Sequence, residues 1–449
     1  MPDAARPRSA HPPGATLSAW LLVAVIGCSL AAQALPAVPE WIAGVVAWVA
    51  AVPLWARLSR RQRVMVAIML ALGALGLAAG VFLGEPARVA MALTLNTPII
   101  AMLAGVAFLH LVSVRGSTSA TDPAATPPRR GRLALAQTLV GVHLFGAVIN
   151  LTAALIAGDR LRRGGALPEQ QALAVGTAFS VSAFWSPFLG AMAVSLTVAK
   201  GASLVTLVAM GLPLAATGLL LLWMHLSRAR FGHGRDFEGY PLDLGALWVP
   251  VALALGVFLV HEWQPQWSVL PVIASLALLI TVGGLIVREG TRQAHDRLVA
   301  FVPARLPGMA GELWVFLAAA VLAAGLSSVL AALEIGAPFV RFGGLEASLV
   351  LLLCTATAWL GLHTVVSIPL VGVWLAPLAP DPNLLACAFL CSWAIGLPAC
   401  ATSGTVLTMQ ARYGIPAATY VRWNLPFLVV MLAVCIVALN VYARLLPAG

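Results

Sequence analysis

Arg129-Arg130-Gly131-Arg132, an apolar stretch over 133–158, then Arg160-Leu161-Arg162-Arg163: how this stretch is read decides the fold. Polytopic membrane proteins collect Lys and Arg in their cytoplasmic loops. If 133–158 crossed the membrane once, the two arginine clusters would lie on opposite sides. If it enters and returns, both are cytoplasmic. The stretch therefore reads as a re-entrant hairpin. Each arm of about 10–15 residues spans roughly 15–22 Å of helix, enough to reach the bilayer centre.

The turn of this hairpin has a counterpart half a chain away. Gly141-Val142-His143 is echoed by Gly361-Leu362-His363, and Gly201 with Leu212-Pro213 by Gly414 with Leu425-Pro426. Segment 345–378 then reads as a second hairpin, entering from the other face. Next to the hairpins stand two long apolar segments interrupted by Ser, Pro and Gly: 168–199 with Ser186-Pro187 and Gly190, and 382–411 with Pro398 and Ser403-Gly404. Paired broken segments in corresponding halves are the sequence mark of a transport site.

The composition supports a membrane setting throughout. The 449 residues are 61% hydrophobic and only 9% charged, with mean hydropathy +0.96. Apolar runs of about 18 residues or more recur along the chain, and in lipid these must be helical because their backbone groups have no water to bond. The net charge of +10 reads as positive-inside bias and not as a nucleic-acid surface. The six cysteines fall in apolar runs and read as packing residues.

Spans are expected at about 18–36, 40–57, 64–84, 89–114, 203–226, 245–261, 268–287, 309–333 and 418–443, with the broken segments 168–199 and 382–411 also crossing. Arg57, Arg60, Arg61 and Arg63 are expected in one short loop. Only Arg88, Lys200, Arg341 and Arg444 then fall outside the cytoplasm. The expected fold is an all-α polytopic membrane protein with about 11 transmembrane helices and two re-entrant hairpins in an inverted repeat. Its parts are a cytoplasmic tail (1–17), a leading helix (18–36), a first repeat (37–230), a cytoplasmic linker (231–244) and an inverted second repeat (245–449). The N-terminus is inside and the C-terminus outside.

All 16 acidic residues fall in loops or at segment edges in this layout. No carboxylate is expected at mid-membrane, which argues against a carboxylate-driven antiporter and against an acid–base enzyme. Polar chemistry is left to the hairpins and breaks. His143, Asn150, Thr152, Ser182, His363, Thr364, Ser367, Thr402 and Ser403 are the candidate solute-binding residues. Helix N-termini at the returning arms suit an anionic group. Freed carbonyls with hydroxyl and amide oxygens suit Na⁺, for which Asn150, Ser180, Ser186, Ser367 and Gly404 are the candidates. Each serine also has a plainer reading, a bond back to its own helix.

This organisation resembles the ion transporter superfamily, which includes the divalent anion/sodium symporters and the arsenite permease-like proteins. The resemblance covers about residues 40–443. It is carried by the layout and by Pro380-Asp381-Pro382-Asn383-Leu384-Leu385, Ser403-Gly404, Gly414 and Arg422-Trp423-Asn424-Leu425-Pro426. The Ser-Asn-Thr tips of the symporter branch are not present; Asn150 with Thr152 and Thr364 with Ser367 stand in their places. The resemblance implies an elevator motion of the hairpin-bearing part and a homodimer.

The expectation is thus a bacterial inner-membrane secondary transporter, not an enzyme, for a small anionic, carboxylate-like solute. Na⁺ is the first choice of coupling ion, and no cofactor or nucleic-acid partner is expected. Two alternatives are proton coupling through His143 and His363, and a redox protein holding haem between those histidines.

Overall fold

The computed structural model describes residues 13–113, 129–162, 166–239, 248–264 and 266–446. Arg6 and Arg8 of the tail, Arg115 and the Pro/Ser/Thr-rich stretch after it, Arg163, and residues 240–244 of the linker lie outside these.

Helix α1 is Pro13–Ala34, α2 is Trp41–Ala51, and α3 is Arg60–Phe82. The first helix is already formed at Pro13, ahead of the expected start at 18. Helix α3 starts earlier than expected for a local reason. Ser59 caps it, accepting from Gln62 N while the Gln62 side chain accepts from Ser59 N. Arg60, Arg61 and Arg63 are consequently in its first turn, and not in a loop with Arg57. The span expected over 89–114 comes in three pieces, α4 (Val89–Thr94), α5 (Thr97–Ala107) and α6 (His110–Ser113). Pro98 interrupts it, and buried Asn96 donates to Phe316 O at 2.8 Å.

The first hairpin segment is α7 (Arg132–Ile149) and α8 (Leu151–Leu161), packed against each other; the turn falls at Asn150, and Gly141-Val142-His143, where the sequence placed it, lies inside α7 because no residue there breaks the helix. The first broken segment is α9 (Glu169–Val181) and α10 (Gly190–Val198), and α11 (Leu204–Leu226) follows. Arg129–Arg130 pairs antiparallel with Glu238–Gly239 in a two-residue ladder. Then come α12 (Trp248–Trp263) and α13 (Val269–Glu289). Helix α14 (Thr291–Arg305) had no counterpart in the sequence reading; its charged, weakly periodic sequence resembles a loop, but Gly290 at φ 80° turns the chain directly into it. The remaining elements are α15 (Ala310–Ala332), α16 (Gly344–Trp359), α17 (Thr364–Leu375), α18 (Pro382–Ala399), α19 (Gly404–Tyr413) and α20 (Ala417–Leu445).

Among the described residues, nine helical stretches are long and apolar enough to cross a membrane. The chain is an all-α, multi-pass membrane protein. Its helices pack as two bodies. One joins α1–α5 with α12–α15, where α3 lies along α15 and α5 along α13. The other joins α7–α11 with α16–α20. The two meet chiefly through α5 against α7 and α10, and α15 against α17.

The first body is held by close backbone approach. A Cβ placed on Gly73 would lie 2.6 Å from Val321 backbone, and one on Gly76 would lie 2.8 Å from Gly325 backbone. In lipid, where apolar transfer gives no drive between helices, small residues let dispersion and close packing hold the pair. In the second body, α18 is buried along nearly its full length, which makes it the central element.

Candidate functional site

The breaks come together in space. Helix α7 ends at Asn150, with φ 59° and ψ −152°. This is a region that non-glycine residues seldom adopt. Its Oδ1 accepts from Leu151 N at 2.7 Å, so it caps the returning arm. In the first broken segment, Ser186 Oγ donates to Ala147 O at 2.5 Å and accepts from Phe188 N at 3.2 Å. That hydroxyl ties the hairpin to the break and satisfies a group that the missing helix would have satisfied.

The second half repeats the arrangement with different chemistry. Gly361, at φ 93°, makes the hairpin turn, and Thr402 Oγ1 donates to its carbonyl at 2.8 Å. His363 caps the returning arm α17, its Nδ1 accepting from Val365 N at 3.1 Å. Ser403 donates to Leu397 O at 2.5 Å and accepts from Val406 N at 3.2 Å, closing the break that follows Pro398.

Contacts also join the halves. A Cβ on Gly404 would lie 3.9 Å from the Leu151 side chain, so the starts of α8 and α19 are adjacent. A Cβ on Gly190 would lie 3.5 Å from the Trp393 ring. That ring in turn stands edge-on to His363, with centroids 5.2 Å apart. Thr402 is exposed and His363 half-buried, so both reach open space.

Other candidates have fixed partners. His143 is buried; its Nδ1 lies 3.3 Å from Ala178 O, and its Nε2 accepts from Trp185 Nε1 at 2.9 Å. These contacts together place the proton on Nδ1 and occupy both nitrogens, leaving neither for a haem iron. Ser180 donates to Gly176 O at 2.8 Å and Ser182 to Phe179 O at 2.6 Å, the back-bonding pattern of helix serines. Thr364 packs against Gly396, and Ser367 reaches Thr364 O at 3.5 Å.

A cavity of about 280 Å³ lies where the first hairpin turn meets the other body. Asn150 and Thr152 line it with His110, Arg305 and Glu312. The sequence put every carboxylate in a loop or at a segment edge, and Glu312 is at such an edge while also lining this cavity. It lies in the first turn of α15, across the cavity lining from Asn150 and Thr152 of the hairpin turn. Its side chain is exposed to the cavity, and no hydrogen bond or ion pair holds it among the described residues. Arg305 lies 3.1 Å from His110 Nε2. Sequence reasoning missed this trio because each residue lies at the end of an element, where linear position does not give depth.

At its far end the first hairpin is clasped to the second broken segment. Arg412 bonds Asp159 through both Nε, at 2.8 Å, and Nη2. The Tyr413 hydroxyl donates to Leu155 O at 3.1 Å. The hydrogen bond from Arg412 holds the Asp159 carboxyl below the usual carboxylate range.

The two hairpin turns and two helix breaks are thus linked by contacts, and the first turn, through Asn150 and Thr152, opens on the cavity. Such a group has the donors and acceptors to bind a small polar solute. No protein-family model matches the chain, and no curated protein matches it.

Proposed function

We propose that the protein is a secondary transporter of a small anionic, carboxylate-like solute, with eleven crossing helices and two re-entrant hairpins in an inverted repeat. The observation that carries this reading is the meeting of both hairpin turns with the second helix break, Leu151 against Gly404 and Gly361 against Thr402. Unwound segments that meet inside a helical membrane protein are where solutes and ions bind. Helix pairing supports the repeat. The pair α3–α15 is answered by α13–α5, α7–α9 by α16–α18, α9–α11 by α18–α20, and α7–α8 by α16–α17. An exchange of halves maps each pair onto the other.

The two-body packing supports alternating access by movement of the hairpin-bearing body, as in the ion transporter superfamily that the layout resembles. A homodimer and a bacterial inner-membrane location, with the N-terminus cytoplasmic and the C-terminus periplasmic, belong to the same proposal. Na⁺ coupling draws on the oxygens at the breaks, with Ser186, Asn150 and Gly404 nearest them, and with Ser180 and Ser367 one turn or more away. A second reading, proton coupling, is favoured by Glu312 facing the cavity and by His363, whose Nε2 has no hydrogen-bond partner among the described residues.

The test is thermal shift of the purified protein against a panel of mono- and dicarboxylates in sodium or choline chloride, followed by proteoliposome uptake of any stabilising compound. Stabilisation that needs sodium, with uptake driven by a sodium gradient, is the expected result. Uptake that follows a pH gradient and is lost in Glu312→Gln selects the proton reading. If no panel member is stabilising or carried, the anionic-solute reading fails.

A further inference from the structure

A second cavity, of about 830 Å³, runs along the boundary between the two bodies. One wall is α3 and the other α17. Val64, Ile68 and Leu72 stand four residues apart on α3, and Leu362, Val366 and Leu370 follow the same spacing at and along α17. Side chains at i, i+4 and i+8 share a helix face, so two apolar stripes face a common groove. Met65, Met69 and Leu322 complete its lining. Val64, Ile68 and Leu72 are each more than half exposed (53%, 53% and 55%), so the protein leaves the larger part of each uncovered.

The polar end is formed by Arg60 and Arg61, the first residues of α3. Both are exposed, and neither has an acidic partner among the described residues. From Arg61 to Leu72 the groove runs about 16 Å at helical rise. One leaflet of hydrocarbon is about 15 Å, half of the roughly 30 Å core. A groove one leaflet deep, apolar along its length and doubly cationic at its mouth, matches one class of molecule in shape and charge.

We propose that this groove seats an anionic phospholipid, with an acyl chain between α3 and α17 and the phosphate held by Arg60 and Arg61. Guanidinium groups bind phosphate oxygens in a bidentate manner, and basic pockets between membrane helices select anionic headgroups. Methionines on the groove wall adapt to a flexible chain. The site stands whether or not the protein carries a solute. It places a lipid against both bodies at once, so leaflet charge acts on the contact between them.

The experiment uses the full-length protein in neutral detergent. Mixed micelles containing phosphatidylglycerol or phosphatidylcholine are added at equal mole fraction, melting is followed, and retained lipids are counted by native mass spectrometry. Phosphatidylglycerol is expected to raise the melting temperature more than phosphatidylcholine, and the excess is expected to shrink in 0.5 M salt, where screening is within about 4 Å. The R60Q/R61Q variant is expected to lose at least about half of that excess while melting normally in phosphatidylcholine; Arg292→Gln, on α14, keeps it. Equal effects of the two lipids, or an undiminished phosphatidylglycerol excess in R60Q/R61Q, overturn the proposal. Should R60Q/R61Q melt low in every lipid, Ile68→Trp, which fills the groove and leaves the arginines, decides: retained phosphatidylglycerol then overturns it, and loss of the bound lipid supports it.

Discussion

Asn150 combines two opposing contributions at one position. Its side chain caps α8, worth about 0.5–2 kcal/mol relative to alanine. Its backbone occupies a conformation that costs a non-glycine residue about 1–3 kcal/mol. Glycine would relieve the second term and give up only a few tenths of the first. Asn150→Gly is therefore expected to melt at or above the wild-type temperature, while Asn150→Ala keeps the strain, loses the cap and is destabilised by about 1–3 kcal/mol. In the proposed site, what the costlier residue supplies at the cavity wall is its carboxamide. Uptake of a solute found by the carboxylate panel should be lost in Asn150→Gly even though the protein is stable; full uptake in that variant would reduce Asn150 to a cap.

At the scale of elements, the helical glycines divide by what faces them. Gly73 meets Val321 backbone, which cannot rotate away, whereas nothing lies within 4 Å of a Cβ on Gly283 in α13. Alanine is better than glycine in a helix by about 1 kcal/mol, so Gly283→Ala should be neutral or stabilising. At Gly73 the same substitution forces α3 and α15 apart and should cost about 1–3 kcal/mol, the scale of overpacking, read as a lower melting temperature and poorer yield. The same contrast explains what could be read from the chain. Turns and breaks carry local signatures, so the interruptions at Pro187, Pro398 and Ser403 were legible, whereas the first hairpin turn falls at Asn150 and not at the Gly141-Val142-His143 that echoes the second. Helix α14 was not, because its polar sequence lacks the apolar periodicity that marks a span. Glu312 was placed at the correct edge but its neighbours were not foreseen, since they arrive from α7, α8 and α14. His143 was overvalued for a related reason: its partners, Ala178 and Trp185, come from another segment and saturate it.

For the molecule as a whole, the decisive question is whether the two bodies move against each other. They meet chiefly along α5 and α15, the third membrane segment of each half in the proposed layout. An interface carried chiefly by two equivalent elements permits sliding of one body, where a fully interdigitated core would not. Thr402 reports on this without any known solute. It lies exposed beside the second hairpin turn, and a cysteine there would be carried with the moving body. In oriented vesicles, Thr402→Cys should react with a membrane-impermeant thiol reagent added on either side, because in the proposed motion the site visits both; the six native cysteines are intermediate or buried and the unsubstituted protein gives the background. Adding a cysteine pair at Leu322 and Val366, which line one groove from opposite bodies, and oxidising it should confine labelling of Thr402→Cys to one side, with two-sided labelling restored by reductant. Labelling from one side only before oxidation, or from both sides after a completed cross-link, would rule out the sliding motion while leaving the fold and the binding group intact.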